Sequence, residues 1–395
     1  MKSNMTSSKI IALSLILAVN VAASAEGQSE SAPRIGDPVV GPEPQAVEDR
    51  YDPDPPGYRV ESWVENLVIP WELVFLPDNR ALVTERPGRI RLIENGNLRN
   101  RPYLDLVGEV VHAGEGGLMG MALHPEYPET PYLYIMYTYR NAGGLANGVA
   151  RVRDYGDYGE LEEFILEDIP GGRIHDGGRI HFGPDGYLYI ATGEIGNPEL
   201  AQDRNSLGGK FLRVAPDGSI PDDNPFPGSA VYSLGHRNPQ GFDWHPETGD
   251  LFASEHGPSG EYGLRGHDNI NVVQAGKNYG WPVALGDADT EPYVDPVVMW
   301  KQATPPSGAA FHDGYFYVAT LGSEALIRIR FAGNGQKWRA KEIVRLFAED
   351  DYSGVYGRLR NVVVGPDNAL YVLTSNRDGR GRPREGDDKI LRIVP

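Results

Sequence analysis

The sequence predicts an all-β protein, a six-bladed β-propeller with four-stranded antiparallel blades. Three observations predict it. One short pattern recurs six times after residue 58, at intervals somewhat above the roughly 40–45 residues of a common propeller blade. Helical stretches are scarce, and 49 glycines and 32 prolines would interrupt them. From residue 58 onward about 340 residues run without a linker. The alternative, a two-sheet sandwich, accounts less well for six related hairpins.

The elements follow in order. Residues 1–25 have the form of a secretory signal peptide: Lys2 and Lys9, the apolar run "IIALSLILAV", then "AASA", with cleavage expected after Ala25. That run is too short to span a bilayer stably, and no second run of spanning length follows, so no membrane span is expected. Localisation is therefore expected to be exported, in the periplasm. Residues 26–57, rich in Pro, Gly, Ser and acids, show no period of two or 3.6 and predict a disordered or extended lead-in. Residues 58–395 form the propeller. Its six copies are "FLPDNRALVTER", "LHPEYPETPYLYIMYTY", "FGPDGYLYIATGE", "WHPETGDLFASEH", "FHDGYFYVATLG" and "VGPDNALYVLTSN". In each, a turn rich in Pro, Asp or Gly precedes an alternating apolar strand with one face packed on a neighbouring sheet. Shorter strands such as "GRIRLIENG", "KFLRVAPDG" and "LIRIRFAG" follow most copies. Either the stretch Tyr58–Glu65 or the terminal "KILRIVP" closes the ring.

Charge and cysteine usage exclude several functions. The chain has 37 basic and 55 acidic side chains, a net charge of −18. Loss of residues 1–25 removes two lysines and no acid, leaving 35 against 55, or −20. Such an acidic surface argues against nucleic acid and anionic lipid as partners. With no cysteine, disulfides, thiolate metal sites and cysteine nucleophiles are excluded.

The loops that enter the inner strands of a propeller gather at one mouth of the central channel, and five stretches fall there. The first is "GGRIHDGG", which places His175 on glycine-flanked backbone, where an imidazole can act as a general base. Alone, a histidine in such a turn is more often structural. "YSLGHRNPQGF" brings Arg237 and Asn238 to a turn, and a solvated arginine is its plain reading. "SEHGPSG" offers the backbone carbonyls of Gly257 and Pro258, which suit a hard cation. "GRLRNVV" sets Arg358 and Arg360 on one side of a strand, which is costly unless they meet an anion. "AGEGGLMG" carries Glu115. A base, three arginines and a carbonyl-bound cation point to a small polyanionic ligand. No phosphate-loop or dinucleotide fingerprint is present.

Together, "GEGGLMGMALHP", "HDGGRIHFGPDGYLYIATGE", "GGKFLRVAPDGSIPDDNPF", "YSLGHRNPQGF", "SEHGP", "GKNYGWP" and "GRLRNVVVGPDNALYVLT" resemble the soluble pyrroloquinoline quinone (PQQ)-dependent aldose sugar dehydrogenases, the glucose/sorbosone dehydrogenase family. The resemblance runs from about Tyr58 to Pro395. It implies a six-bladed propeller that uses PQQ and Ca2+ to oxidise an aldose at its anomeric carbon to a lactone, with an unknown electron acceptor. It implies that His175 is the base, that Glu194 orients it, and that Arg237 and Asn238 lie near the quinone oxygens. Arg358 and Arg360 would hold PQQ carboxylates, and Gly257 and Pro258 the calcium. A second calcium would use Asp268 or Asn269 with the carbonyl of Tyr279. The chain departs from the family pattern at three places: Glu115 where many relatives have Gln, Gly322 where the family has a cofactor-binding cation, and Asn269 at an acidic position. Two other readings stay open, a calcium-dependent propeller hydrolase of lactonase type and a non-catalytic binding propeller.

Overall fold

The computed structural model describes residues 36–394. The expected leader, residues 1–25, and the start of the lead-in lie outside the described residues. Each repeat becomes the hairpin joining the first and second strands of one blade. The first strands are Pro70–Phe75, Leu118–Leu123, Ile180–Phe182, Pro239–Trp244, Pro306–His312 and Leu359–Val364. Residues from all six line one central channel. The repeated acids explain the turns: Asp78, Asp185 and Asp367 each accept a hydrogen bond from the backbone N–H two residues on, which closes an Asx-turn.

The core is cyclic. Among the described residues, six large clusters of buried side chains each join neighbouring blades. Phe252 and Phe316, for example, join blades four and five. The second strands are therefore covered on both faces, not on one as the alternation implied. Ala81–Glu85, Leu188–Thr192, Leu251–Glu255 and Leu370–Thr374 are buried at every position.

Both candidate segments close the ring. Arg59–Val64 pairs antiparallel with the C-terminal strand Ile390–Val394, so the sixth blade takes its outermost strand from the N-terminal side of the chain. Residues 36–57 carry two short strands that pair parallel to the propeller. Val39–Val40 pairs with Ala284–Leu285, and Asp49–Asp52 adds to the outer edge of blade five at Arg339–Leu346. Between them Gln45 exchanges two hydrogen bonds with the backbone of Met299, at 2.7 and 3.1 Å. Asp49 binds Arg345 Nε at 2.5 Å and Trp300 Nε1 at 3.2 Å. These bonds anchor a segment that lacks apolar periodicity.

The middle of the channel is filled by charge. Arg179 is fully buried. It lies 4.1 Å above the ring of Trp71 and pairs with Glu72, while its Nε donates to the carbonyl of Gln240 at 2.9 Å. Asn361 Nδ2 donates to the other oxygen of Glu72 at 2.6 Å. Among the described residues no helix is long and apolar enough to cross a membrane.

Candidate active site

At the end of the channel where the chain enters the inner strands lies a cleft of about 510 Å³. Its wall includes Glu115, His175, His256, Glu261, Arg358 and Arg380. The glycines around His175 now have a reason. His175 itself is left-handed, with φ +56°, a conformation that costs a non-glycine residue of order 1–3 kcal/mol. Its carbonyl packs so tightly on Gly193 that a Cβ there would stand 1.8 Å from the oxygen. A Cβ on Gly177 would meet the carbonyl of Ala191 at 2.4 Å. Only glycine lets the loop lie this close to the strand that delivers Glu194.

That closeness fixes the state of the imidazole. Nδ1 of His175 is hydrogen-bonded to Glu194 Oε1. Nε2 lies 3.0 Å from Nη2 of Arg237. A guanidinium can only donate, so Nε2 is the acceptor and the ring proton sits on Nδ1, given to Glu194. The basic lone pair of His175 therefore points at Arg237 and the cleft. His175, Glu194 and Glu261 place ligand atoms within 4.8 Å of one another, but each of the three is already bonded to another residue of this group or to Arg237.

Glu115 sits beneath the base. Its Oε2 accepts the backbone N–H of His175 at 2.9 Å, and its Oε1 accepts Arg380 Nη1 at 2.6 Å. Burial opposes ionisation, but Arg380 and that N–H outweigh it and hold the pKa down at about 2. The carboxylate that stands where many relatives have Gln is thus charge-paired inside the protein. Arg358 and Arg360 do share one side, and they already have an anion. Arg358 donates twice to Asp378 Oδ2, at 3.0 and 2.8 Å, and Arg360 Nη2 lies 4.0 Å from the same oxygen. Burial, with Arg86 adding repulsion, lowers Arg360 to about 9, so it stays a cation at neutral pH. Asn238 accepts the N–H of Gly177 at 3.0 Å. At Gly322 the fifth blade brings no cation, and its cleft residues are Pro305 and Leu321.

The metal candidates divide. Among the described residues the carbonyls of Gly257 and Pro258 accept no hydrogen bond, and Asp268 holds their loop. One of its oxygens takes the N–H of Gly257 at 3.0 Å, the other that of Thr304 at 2.6 Å. Burial raises the Asp268 pKa to about 6. Asn269 and Tyr279 line a small cavity of about 20 Å³ with Glu255, Asn271 and Asp295, and Gly257, His256 and Arg237 also border it. Neighbouring residues on a strand face opposite ways, so Asp268 does not join Asn269 and Tyr279 there.

Several residues of the cleft escaped the sequence reading: His256, Glu261, Asp378 and Arg380. The arginine-rich run "SNRDGRGRPR" was a signal for the last two. His256 lay within a quoted motif, and its ring is pushed down to about 3 by burial, so it is neutral.

The chain is similar to known proteins along most of its length. The model of the Glucose / Sorbosone dehydrogenase family matches residues 67–391. The chain is 33% identical over 362 residues to the aldose sugar dehydrogenase YliI of Escherichia coli, covering 82% of this chain and 92% of that protein. A crystal structure described as a putative oxidoreductase (glucose dehydrogenase) from Thermus thermophilus is 50% identical, with a TM-score of 0.80 over 86% of this chain and 100% of that one. The PQQ-bound aldose sugar dehydrogenase of Streptomyces coelicolor is 38% identical, with a TM-score of 0.76 over 86% of this chain and 98% of that one.

Proposed function

The chain belongs to the Glucose / Sorbosone dehydrogenase family, and from that premise we propose that it is an exported, PQQ- and calcium-dependent dehydrogenase oxidising aldose sugars at the anomeric carbon to lactones. The coarser statement, a sugar dehydrogenase on a six-bladed propeller, follows from the family and the fold. The observation that carries the finer one is the imidazole of His175, neutral, backed by Glu194, and presenting its Nε2 lone pair to an arginine-lined cleft.

The cleft fits a polyanionic quinone. Nε and Nη1 of Arg237, Nδ2 of Asn238 and Nε of Arg360 are buried donors with no partner, and such groups are costly unless a ligand or water takes them. Arg358, Arg360, Arg237 and Asn238 would hold PQQ. The free carbonyls of Gly257 and Pro258 are hard oxygen donors that suit calcium over zinc or copper. PQQ, polarised by calcium, supplies a hydride acceptor when bound.

The chain's own residues do the rest. His175 Nε2 takes the proton of the anomeric hydroxyl. The imidazolium so formed is stabilised by its hydrogen bond to Glu194. Arg237 supplies positive charge where negative charge develops. A lactonase-type hydrolase would need a metal ringed by carboxylate and amide side chains at the channel centre. Arg179, Glu72 and Arg360 fill that centre with an ion pair and a second cation.

The test is reconstitution of metal-free apoprotein with PQQ and calcium, followed by stopped-flow reduction with a panel of aldoses. We expect activity only with both additions. His175→Gln should bind PQQ and melt like the wild type, yet reduce it roughly 10²–10⁴-fold more slowly. Wild-type rates in a loaded His175→Gln protein would remove the base from this reading.

A further inference from the structure

One residue of the cleft stands in the way of the chemistry just described. Arg237 Nη2 lies 2.6 Å from Oε1 of Glu261 and 3.0 Å from the base. The same guanidinium nitrogen therefore joins Glu261 to His175, and it covers the lone pair that must receive a proton. The other oxygen of Glu261 accepts the backbone N–H of Ser259 at 2.6 Å. Both carboxylate oxygens are engaged as those of a bound carboxylate ligand would be. Burial opposes the charge, but Arg237 holds the Glu261 carboxyl below its ordinary value, so it is an anion at neutral pH.

Glu261 is carried on a segment fit to move. It belongs to "SGEYGLRGH", which lengthens the connection between Pro258 and Asp268. Ser259, Gly260, Tyr262 and Gly263 are exposed. Gly260 has φ +138° and Gly263 φ +72°. The backbone hydrogen bonds of Gly263 and Leu264 stay within the segment. Residues 259–263 are tied to the rest of the protein through Arg237, which pairs with Glu261 and lies 3.5 Å from Ser259 Oγ, and through an edge contact of Tyr262 with Trp281 at 6.0 Å. The far end of the segment is anchored, by Leu264 packed on Trp281 and Leu285 and by the His267 N–H donated to the carbonyl of Trp300 at 2.7 Å.

We infer that Glu261 is an internal occupant of the cleft's anion subsite, exchanged on Arg237 for an anionic oxygen of the incoming cofactor. This deepens the proposed function and rests on its identification of the ligand as PQQ. Departure of Glu261 frees Arg237 to turn toward the ligand and uncovers Nε2 of His175, so the base becomes available only when the cofactor is present. The ligand-free protein then holds its base closed.

Two measurements test this. In the first, apoprotein with calcium is mixed with PQQ and intrinsic fluorescence is followed; Trp281, 5.5 Å from the Arg237 guanidinium, lies where the exchange occurs. In the wild type the association rate should saturate with PQQ concentration, because opening precedes binding. In Glu261→Gln it should rise linearly, with affinity improved about tenfold, the scale of one charge-assisted competitor removed from a half-exposed site. In the second, phenylglyoxal modification of Arg237 is mapped by mass spectrometry without any cofactor, and Glu261→Gln should react several-fold faster. Equal rates in both measurements overturn the exchange. So does weaker PQQ binding in Glu261→Gln. A wild type that does not bind PQQ refutes the cofactor reading alone, and Arg237 reactivity then decides the latch.

Discussion

His175 and Asp176 are neighbours with opposite fates. The histidine turns into the cleft, while the aspartate turns into the protein. There Asp176 accepts Gly172 N–H at 2.9 Å and Asn147 Nδ2 at 3.0 Å, and its second oxygen has no partner. Burial raises its pKa to about 7. A carboxyl whose folded pKa lies above its unfolded value binds more protons in the native state. Its contribution to stability is present below about pH 4 and is lost as pH rises toward 7. Thermal melts between pH 4 and 8 should show wild-type stability falling relative to Asp176→Asn over that window. Parallel curves would mean that Asp176 ionises in place at no cost. Residues of this kind mark the limit of what sequence discloses. "HDGG" and "ATGE" could be paired by motif, so His175 and Glu194 were found. Glu261 and Asp378 were not, because each is an acid in a loop with no period, and nothing local says which arginine it will meet.

Among the elements, the hairpins were legible and the strap was not. The turn acids and the apolar second strands repeat six times, so the blades appear in the sequence directly. The segment 36–57 has no repeat. It docks through side chains such as Gln45 and Asp49, whose partners lie about 250–300 residues away. The outer strands Gly159–Pro170 and Arg339–Leu346 were also missed, since their charge-rich patterns resemble loop. Asp49→Asn tests the strap. It would leave Arg345, 0% exposed, bonded to Thr304 Oγ1 at 2.9 Å but with Asp351, at 3.8 Å, as its nearest anion. Breaking a buried pair from one side costs about 3 kcal/mol. Urea unfolding should show that loss, and limited proteolysis should cut first near residues 41–57. An unchanged midpoint would mean that the strap contributes nothing to stability.

For the molecule as a whole, stability depends on closure. No blade has a core of its own, because every cluster is shared with a neighbour. Removing the strand Arg59–Val64 should therefore harm more than the sixth blade. It exposes the edge of Ile390–Val394 and the cluster containing Trp63, Val64, Leu73 and Ile390, which spans the first and sixth blades. Deletion through Val64 should lower Tm by roughly ten degrees or more and turn a single calorimetric transition into a broad one. A sharp transition at the wild-type temperature would show that the ring holds without it.

The same closure has a consequence in time. Arg59–Val64 is made long before its partner Ile390–Val394. At roughly 5–20 residues per second, the intervening chain takes on the order of half a minute to emerge. Throughout that interval one strand has an open edge and the two end blades of the partial ring each have an unmatched flank, which are the surfaces that seed aggregation. The ring cannot be assembled piecemeal during synthesis. Its closure waits until Ile390–Val394 has emerged, so Arg59–Val64 stays without its partner until then.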